Sequence, residues 1–261
     1  MTTTPTPHLA PDLSFLPECA KRVVPSSLHP ILDLILTNGK HVRPALGVRL
    51  CRMLNVDPAP LHDAFTGIEL IHAASLVHDD IVDEDEFRRS ELSVHSRFGT
   101  HLGLLYGDYF FVSALQLFAQ KKYSPRMVSH ALNAVQAMTH AQILESSHQV
   151  DSLEKYWEYS RGKTAELMRL CAALTLEHYG MTHASVEEFA LKYGLAFQVA
   201  DDLSELPDAK SELSLPAFIG REASIQMFQK LCEEMDALNI IPVNELSFIP
   251  FESVLAVKKT N

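Results

Sequence analysis

The sequence predicts an all-α fold formed by a single domain. Hydrophobic residues make up 47% of the 261 residues, and only 10 are glycine. Leu, Ala and Glu, which favour helices, dominate the composition. Alternating runs of β-branched residues bounded by turn dipeptides, which are typical of strands, are scarce. No linker interrupts the helical pattern, so we expect one domain over 13–261 after a mobile leader over 1–12 that is rich in Thr and Pro.

The first half of the chain contains helix boundaries that its proline and glycine residues mark. A helix is predicted over 27–37, after the break at Pro25, and Gly39 ends it as a glycine cap does. Pro44 lies near the first turn of the next helix, where proline is tolerated. After a proline-rich loop, the apolar stretch over 61–83 predicts one long helix.

The second half of the chain begins with a polar, irregular segment over 84–104. We expect the next helix to start at the aromatic run that follows Gly107-Asp108, that is at Tyr109. Helical periodicity predicts four further helices, over 126–149, 152–178, 184–204 and 216–236.

Charge and cysteine content exclude several functional classes. The net charge of −11 argues against general binding of nucleic acid. The four cysteines lie far apart and form no metal-binding pattern, so we expect thiols in a reducing compartment, the cytoplasm. We find no signal peptide pattern, and no apolar run is long enough to predict a membrane span.

The most informative segment is the acidic cluster at 78–85, which follows the long apolar helix. Asp79 and Asp83 are one turn apart and share a helix face, and Asp80 flanks them. Carboxylates this close repel each other unless a cation lies between them, and ligand sets made only of oxygen favour Mg²⁺. The alternative is a solvated acidic helix end, which is the commoner meaning of a single cluster of this kind.

An arginine pair directly after this cluster indicates what the metal would bind. Mg²⁺ usually keeps part of its water shell and completes it with substrate phosphates. Arg88 and Arg89 suit the same ligand, because a guanidinium group matches phosphate oxygens. The local chemistry therefore predicts a diphosphate held through metal.

A second acidic cluster strengthens the metal interpretation. The apolar helix before it ends in Asp201-Asp202, and Glu205 follows one turn after Asp201. Two such helix ends could face each other across a cavity and hold metal ions from both sides.

Other polar residues are weaker candidates when each is taken alone. Lys40 and Arg43 lie at a loop-to-helix junction that would favour an anion, or they are simply solvated cations. Lys163, next to Thr164, either extends to water or points into a cavity. Gln198 needs a polar partner, which would be a ligand or a neighbouring helix.

Taken together, these residues resemble the trans-isoprenyl diphosphate synthases, and most closely the medium- and long-chain polyprenyl members. The resemblance spans about residues 35–220. It rests on Gly39-Lys40-x-x-Arg43-Pro44, Glu69-Leu70-Ile71-His72-x-Ala74-Ser75-Leu76-Val77-His78-Asp79-Asp80-x-x-Asp83, Arg88-Arg89, His95, Gly107-Asp108, Lys163-Thr164 and Phe197-Gln198-x-x-Asp201-Asp202.

The resemblance implies helices packed around one deep apolar cavity, usually in a homodimer. It implies that an allylic diphosphate ionises and that isopentenyl diphosphate attacks the resulting cation, with Asp79, Asp80, Asp83 and Lys163 as catalytic residues. The resemblance assigns Mg²⁺ to Asp79, Asp80, Asp83 and Asp201. It assigns the allylic diphosphate to Arg88, Lys163, Thr164 and Gln198, and isopentenyl diphosphate to Lys40, Arg43, His95 and Arg89.

Departures from the family pattern keep two other functions open. Glu205 replaces an Asp of the family, and Glu212 stands where the family has a Lys, after a shortened loop. These changes suggest an attenuated homologue that serves as one subunit of a hetero-oligomer. A terpene-cyclase-like enzyme is the other alternative, but it would have no use for the cations assigned to a second diphosphate.

The helix before the first acidic cluster also carries a prediction about product length. Ala74 and Ser75 are small and lie about one turn before Asp79, where they would leave room for a growing chain. We therefore expect products longer than farnesyl; the alternative is ordinary small residues at a helix crossing.

Overall fold

The computed structural model describes residues 11–37, 39–89, 91–204, 213–243 and 246. The chain divides into two compact units. Of these described residues, the amino-terminal unit contains those within 12–135 and 173–182, and the carboxy-terminal unit contains residue 11 and those within 136–172, 183–204 and 213–246. Most of the predicted leader lies outside the described residues, and the single domain over 13–261 stays a prediction.

Helices dominate the amino-terminal unit, so the all-α prediction is confirmed here. Two short antiparallel strands form a hairpin in which Phe87 pairs with Leu92 and Arg88 with Glu91. The elements are α1 (Phe15–Val23), α2 (His29–Leu36), α3 (Val42–Met53), α4 (His62–Val82), β1 (Phe87–Arg88), β2 (Glu91–Leu92), α5 (Val94–Phe98), α6 (Thr100–Phe118), the first half of α7 (Pro125–Ser146) and the second half of α9 (Glu166–His178).

Helix α4 forms the centre of the amino-terminal unit and packs closely against α6. The prediction that the second of these helices starts at Tyr109 is wrong, because α6 begins at Thr100. Glycines inside α6 allow the close approach, since a Cβ at Gly107 would overlap the ring of His78 on α4. From the sequence we interpret these glycines as helix breakers, whereas in the structure they lie inside α6 at its contact with other helices.

A buried carboxylate ties α4 to its neighbours in the same unit. Asp63, in the first turn of α4, pairs with Arg22 from α1 and with Lys122. Burial opposes ionisation of Asp63, but hydrogen bonds and charge from Lys122, with help from Cys19 and Arg22, outweigh it and lower the pKa of its carboxyl. This cluster therefore fixes the amino-terminal end of α4.

The carboxy-terminal unit is also helical in its described residues. It contains the second half of α7, then α8 (Leu153–Ser160), a π-helical turn (Arg161–Ala165), the first half of α9 (Glu166–His178), α10 (Ala184–Ser204), α11 (Leu215–Ile219) and α12 (Arg221–Ala237). The predicted bounds of α10 are confirmed. The helix predicted over 216–236 is instead two helices, because Gly220 adopts a φ of 82° between them.

The helix predicted over 152–178 is likewise interrupted, by the π-helical turn. Gly162 lies in this turn, where a Cβ would come within 2.6 Å of the Ala137 carbonyl oxygen. π-helical turns insert one residue into a helix and occur often at functional sites.

Within the described ranges, no helix is both long enough and apolar enough to cross a membrane.

Candidate active site

The first acidic cluster lies where α4 ends. The Asp83 amide donates to the Asp79 carbonyl oxygen at 2.8 Å, and the Asp85 amide donates to the Asp80 carbonyl oxygen at 2.9 Å. Glu84, between these two donors, has a φ of 55°. This left-handed residue stops the helix after its last turn. Asp79 is half-buried and Asp83 is exposed. The fold therefore presents both carboxylates at one helix end, as predicted.

Asp80 differs from the two aspartates beside it because it is buried. Arg88, on strand β1, donates hydrogen bonds from Nε and Nη2 to Asp80 Oδ1. Asp80 is only 2% exposed, so this charge-assisted pair compensates a carboxylate that has lost its water. The pair anchors the hairpin, and with it the arginines, to the acidic end of α4.

A cavity of about 380 Å³ adjoins this ion pair within the amino-terminal unit. Asp80, Arg88 and Arg89 form part of its polar lining. Apolar side chains from α2 and α4, among them Leu34 and Leu76, form another part. The lining also contains the carboxylates of Asp33 and Glu91. A cavity that has both arginines and apolar side chains in its lining suits an anionic head with an apolar tail.

The predicted isopentenyl diphosphate residues occupy different surroundings in this unit. Lys40 is exposed just before α3, and Arg43 is buried in its first turn. Between them, His41 has a φ of 46°, and its Nδ1 lies 2.9 Å from Glu69 Oε1 on α4. His95, at the start of α5, donates from Nε2 to the Asp85 carbonyl oxygen at 2.9 Å.

His72 is a polar residue of this region to which the sequence analysis gave no role. Burial lowers the pKa of its imidazole well below the ordinary value, and the charges of Arg43, Arg89 and Arg88 lower it further. His72 thus stays neutral among the cations predicted to bind diphosphate. The spacing to Asp79 could have identified it, because seven residues are two helical turns and return to the same face.

The second acidic cluster ends α10 in the carboxy-terminal unit, and its two aspartates differ in the same way. Asp201 is half-buried, whereas Asp202 is buried. Asp202 Oδ2 accepts hydrogen bonds from the Tyr156 hydroxyl at 2.6 Å and from the Leu215 amide at 2.7 Å. Oδ1 accepts a third from Gln198 Nε2 at 2.9 Å. Asp202 therefore serves as an internal anchor for three segments of this unit.

Gln198 connects this anchor to the π-helical turn. Its Oε1 accepts a hydrogen bond from the Thr164 hydroxyl at 2.6 Å, while its Nε2 donates to Asp202. Both ends of the amide are thus fixed. Gln198 thus has two protein partners, and its side chain carries a second amide hydrogen that can donate to a further acceptor. Its assignment to the allylic diphosphate stays a prediction.

Lys163, the residue before Thr164, is also held by its own unit. Its ammonium group forms an ion pair with Glu145 on α7. The same carboxylate accepts a hydrogen bond from the Tyr159 hydroxyl at 2.9 Å. Lys163 Nζ lies 5.4 Å from the centre of the Tyr159 ring, within the range of a cation–π interaction.

Each unit thus brings together one set of predicted residues: the amino-terminal unit holds the first cluster with its arginines, and the carboxy-terminal unit holds Lys163, Thr164, Gln198 and Asp201. Glu205 and Glu212 lie outside the described residues. Across the part of the chain that the structure describes, no three acidic, histidine or cysteine side chains already surround a metal position. Separate single carboxylates such as Asp79 and Asp201 would still suit Mg²⁺, which usually binds one or two carboxylates and takes its other ligands from water and phosphate.

Comparison with known proteins identifies the family. The polyprenyl synthetase family model matches residues 25–216. A prenyl transferase of Cyanophora paradoxa is 35% identical over 220 residues, which cover 79% of this chain and 68% of that protein. A nonaprenyl diphosphate synthase of Mycobacterium tuberculosis is 31% identical over 189 residues, covering 70% of this chain and 56% of that protein.

A solved structure agrees with this result. An isoprenoid synthase family member from Thermotoga neapolitana has a TM-score of 0.79 and 26% identity, and the match covers 94% of this chain and 98% of that one. The chain therefore belongs to the polyprenyl synthetase family of trans-isoprenyl diphosphate synthases, and it is a prenyltransferase.

Proposed function

We propose that the enzyme uses Mg²⁺ to condense isopentenyl diphosphate with an allylic prenyl diphosphate and releases a longer polyprenyl diphosphate. The C1–O bond of the allylic substrate breaks, and its electron pair leaves with the diphosphate. The double bond of isopentenyl diphosphate then attacks C1, and loss of a proton restores the double bond. The observation that carries the proposal is the end of α4, where Asp79 and Asp83 stand beside the buried Asp80–Arg88 ion pair.

In this proposal the exposed or half-buried aspartates take the metal. Asp79, Asp83 and Asp201 would hold Mg²⁺, which neutralises the charge that develops on the leaving diphosphate. Asp80 keeps its predicted metal role as a hypothesis, although one of its oxygens already accepts from Arg88. Its assured contribution is to hold that arginine, which would bind the allylic diphosphate.

The carboxy-terminal unit would supply donors to the same diphosphate. Thr164 uses its hydroxyl hydrogen for Gln198, so its oxygen is left as an acceptor. Of Lys163, Thr164 and Gln198, two can therefore donate to the diphosphate. Gln198 has its second amide hydrogen, and Lys163 has the N–H groups that Glu145 does not use. The hydrogen bond between Thr164 and Gln198 holds these two side chains in place before the substrate arrives, which lowers the cost of ordering them.

Isopentenyl diphosphate would bind the cations around His72. The charges of Arg43 and Arg89, together with that of Arg88, lower the pKa of this imidazole. Lys40 and His95 complete the set that the resemblance assigns. The walls around the reacting carbons would be apolar, because water would quench an allylic cation.

The product and the assembly state extend the proposal. Ser75 is half-buried one turn before Asp79, and Ala74 is fully buried, so we expect Ser75 rather than Ala74 to border a growing chain.

We also expect a homodimer. Its support is a row of exposed apolar side chains on α6, namely Leu102, Leu105, Tyr109 and Val112.

The state of the cysteines is our reason for proposing a cytoplasmic location. All four are free thiols, three of them buried. Burial raises the pKa of Cys51 to about 11 and that of Cys232 to about 12, which keeps both protonated and unreactive. Thiols of this kind suit a reducing compartment.

One assay tests the proposal. Purified protein is incubated with Mg²⁺, labelled isopentenyl diphosphate and geranyl, farnesyl or geranylgeranyl diphosphate, and the products are sized. We expect incorporation into products longer than farnesyl, loss of activity on chelation, and no turnover by Asp79→Ala with an unchanged circular dichroism spectrum. Full activity in that variant would contradict the metal role.

The same assay separates the alternatives. A cyclic hydrocarbon formed without incorporation would indicate a terpene cyclase instead. No turnover by the pure chain, with activity restored by a co-purified relative, would indicate a subunit of a hetero-oligomer. Neither alternative has an observation in the described residues that favours it.

A further inference from the structure

Glu145 is a charged residue that the functional assignments above do not use. It lies in the last turn of α7 and is half-buried, with 26% of its side chain exposed. One carboxylate oxygen accepts from the buried Tyr159 hydroxyl at 2.9 Å, and the other pairs with the Lys163 ammonium group. A carboxylate beside a cation that is meant to bind diphosphate weakens that cation's attraction for an anion, so its presence requires an explanation.

Tyr159 fixes the carboxylate as well as the lysine. Burial and the negative charge of Glu145 raise the pKa of the Tyr159 hydroxyl, so it remains a donor to that carboxylate throughout the physiological range. The Tyr159 ring also faces Lys163 Nζ at 5.4 Å. The ammonium group is therefore held by a carboxylate and by an aromatic ring.

The local backbone adds a third constraint. Lys163 is the central residue of the π-helical turn Arg161–Ala165, and its neighbour Thr164 bonds to Gln198. A lysine has a flexible four-carbon side chain and compact charge, so its ammonium group does not hold a position without contacts of this kind. Only one of its three N–H groups is needed for Glu145, and the others remain for a ligand.

We propose that Glu145 is a positioning residue that acts through Lys163: with Tyr159 it holds the ammonium group where negative charge develops as the allylic diphosphate leaves. This inference rests on the proposed function. It predicts two opposite effects of removing the charge of Glu145. Binding of the intact diphosphate should become tighter, because a competing anion is lost, while turnover should fall, because Lys163 is no longer held in place.

The test compares Glu145→Gln, Lys163→Met and the double variant by elongation kinetics. We expect Glu145→Gln to lower KM for the allylic diphosphate about two- to fivefold and kcat at least about tenfold. Tyr159→Phe keeps the ring and loses the hydroxyl, so we expect a smaller fall in kcat. In the Lys163→Met background, Glu145→Gln should change neither parameter further, because its effect passes through the lysine.

Glu158→Gln is the matched control, since Glu158 on α8 is an exposed carboxylate that pairs with Lys155 at 2.8 Å. We expect it to keep both kinetic parameters. An unchanged kcat in Glu145→Gln would overturn the proposal. So would an effect of the same size in the Lys163→Met background, or a rise in KM that parallels a lower melting temperature, because these results mean a merely structural role.

A binding measurement separates failure of this proposal from failure of the proposed function. Calorimetry with inorganic pyrophosphate and Mg²⁺ needs no turnover. We expect Glu145→Gln to bind pyrophosphate about two- to fivefold more tightly than the natural chain, and to bind no more tightly when Lys163 is Met. Equal or weaker binding by the single variant overturns the Glu145 proposal even if the chain proves inactive in elongation.

Discussion

The Tyr156 hydroxyl donates a 2.6 Å hydrogen bond to the buried carboxylate of Asp202, which also accepts from the Leu215 amide. The bond joins α8 to the acidic end of α10, and the amide joins α11 to the same carboxylate. The second aspartate of the cluster is thus part of the protein interior. We therefore assign the metal to its neighbour Asp201.

Tyr156→Phe should reveal the strength of this anchor. The variant keeps the ring but removes one donor from a buried carboxylate, so we expect a loss of about 1–3 kcal/mol in the free energy of unfolding. Urea denaturation measures it. Tyr179→Phe, on a half-buried tyrosine that donates to the Asp57 carbonyl oxygen, is the control and should cost less. Equal losses would mean that Asp202 does not depend on Tyr156.

Asp80→Asn should loosen the hairpin that carries the arginines. The buried charge is lost, and Arg88 keeps only a neutral acceptor, so we expect about 1–3 kcal/mol of destabilisation and weaker binding of the allylic diphosphate. Glu91→Gln breaks the exposed pair of Glu91 with Arg97 and should cost less than about 1 kcal/mol. A wild-type KM for the allylic substrate in Asp80→Asn would contradict the proposed role of the ion pair.

Gly107→Ala tests the close approach of α4 and α6. On an exposed helix this change would stabilise by about 1 kcal/mol, because alanine favours the helix more than glycine does. Here the new methyl group would overlap the His78 ring, and we expect destabilisation by about 1–3 kcal/mol instead. Thermal unfolding gives the sign directly, and a stabilised variant would contradict the observed packing.

Acid stability should depend on Asp63. The pKa of its carboxyl is lowered in the fold, because the partners Lys122 and Arg22 outweigh burial. Its contribution is therefore complete above the unfolded pKa of about 4 and is lost as pH falls through the folded value. We expect Asp63→Asn to cost about 1–3 kcal/mol at neutral pH and the gap to the natural chain to close below about pH 4. A gap that does not change with pH would show that ionisation contributes nothing.

The apolar face of α6 should mediate the expected homodimer. Leu105 and Val112 are 59% and 56% exposed, and a glutamate at either position would place a charge on that face. We expect Val112→Glu to shift the mass in light scattering from twice 29.2 kDa to that of a single chain. Leu153→Glu, on α8, is the control and should leave the mass unchanged. A dimer that persists in Val112→Glu would place the interface elsewhere.

The sequence predicted best those helices whose pattern is local. Helices α4 and α10 are long, apolar and free of proline, and both end in paired aspartates, so periodicity located them to within a residue. The start of α6 was missed because the purpose of Gly107 lies on another helix, in the His78 ring. A glycine that admits a neighbour and a glycine that ends a helix look the same along the chain.

The same distinction between local patterns and distant contacts applies to the candidate site. Charged residues with a regular spacing, such as Asp79 and Asp83, were found from sequence. The contacts that distinguish Asp80 from its neighbours, or that join Glu145 to Lys163 across 18 positions, come from folding and leave no local pattern. His72 shows both cases: its spacing to Asp79 is visible in the sequence, whereas the effect of three arginine charges on the pKa of its imidazole is not.

The extra residue at Arg161–Ala165 has an evolutionary consequence. Loss of one codon in this stretch would let the backbone relax into a regular helix. Yet each residue in an α-helix turns the chain by about 100°, so lysine and threonine would swing away from Glu145 and Gln198 together. Descendants of this gene that have a fully regular helix here should have lost the transferase reaction.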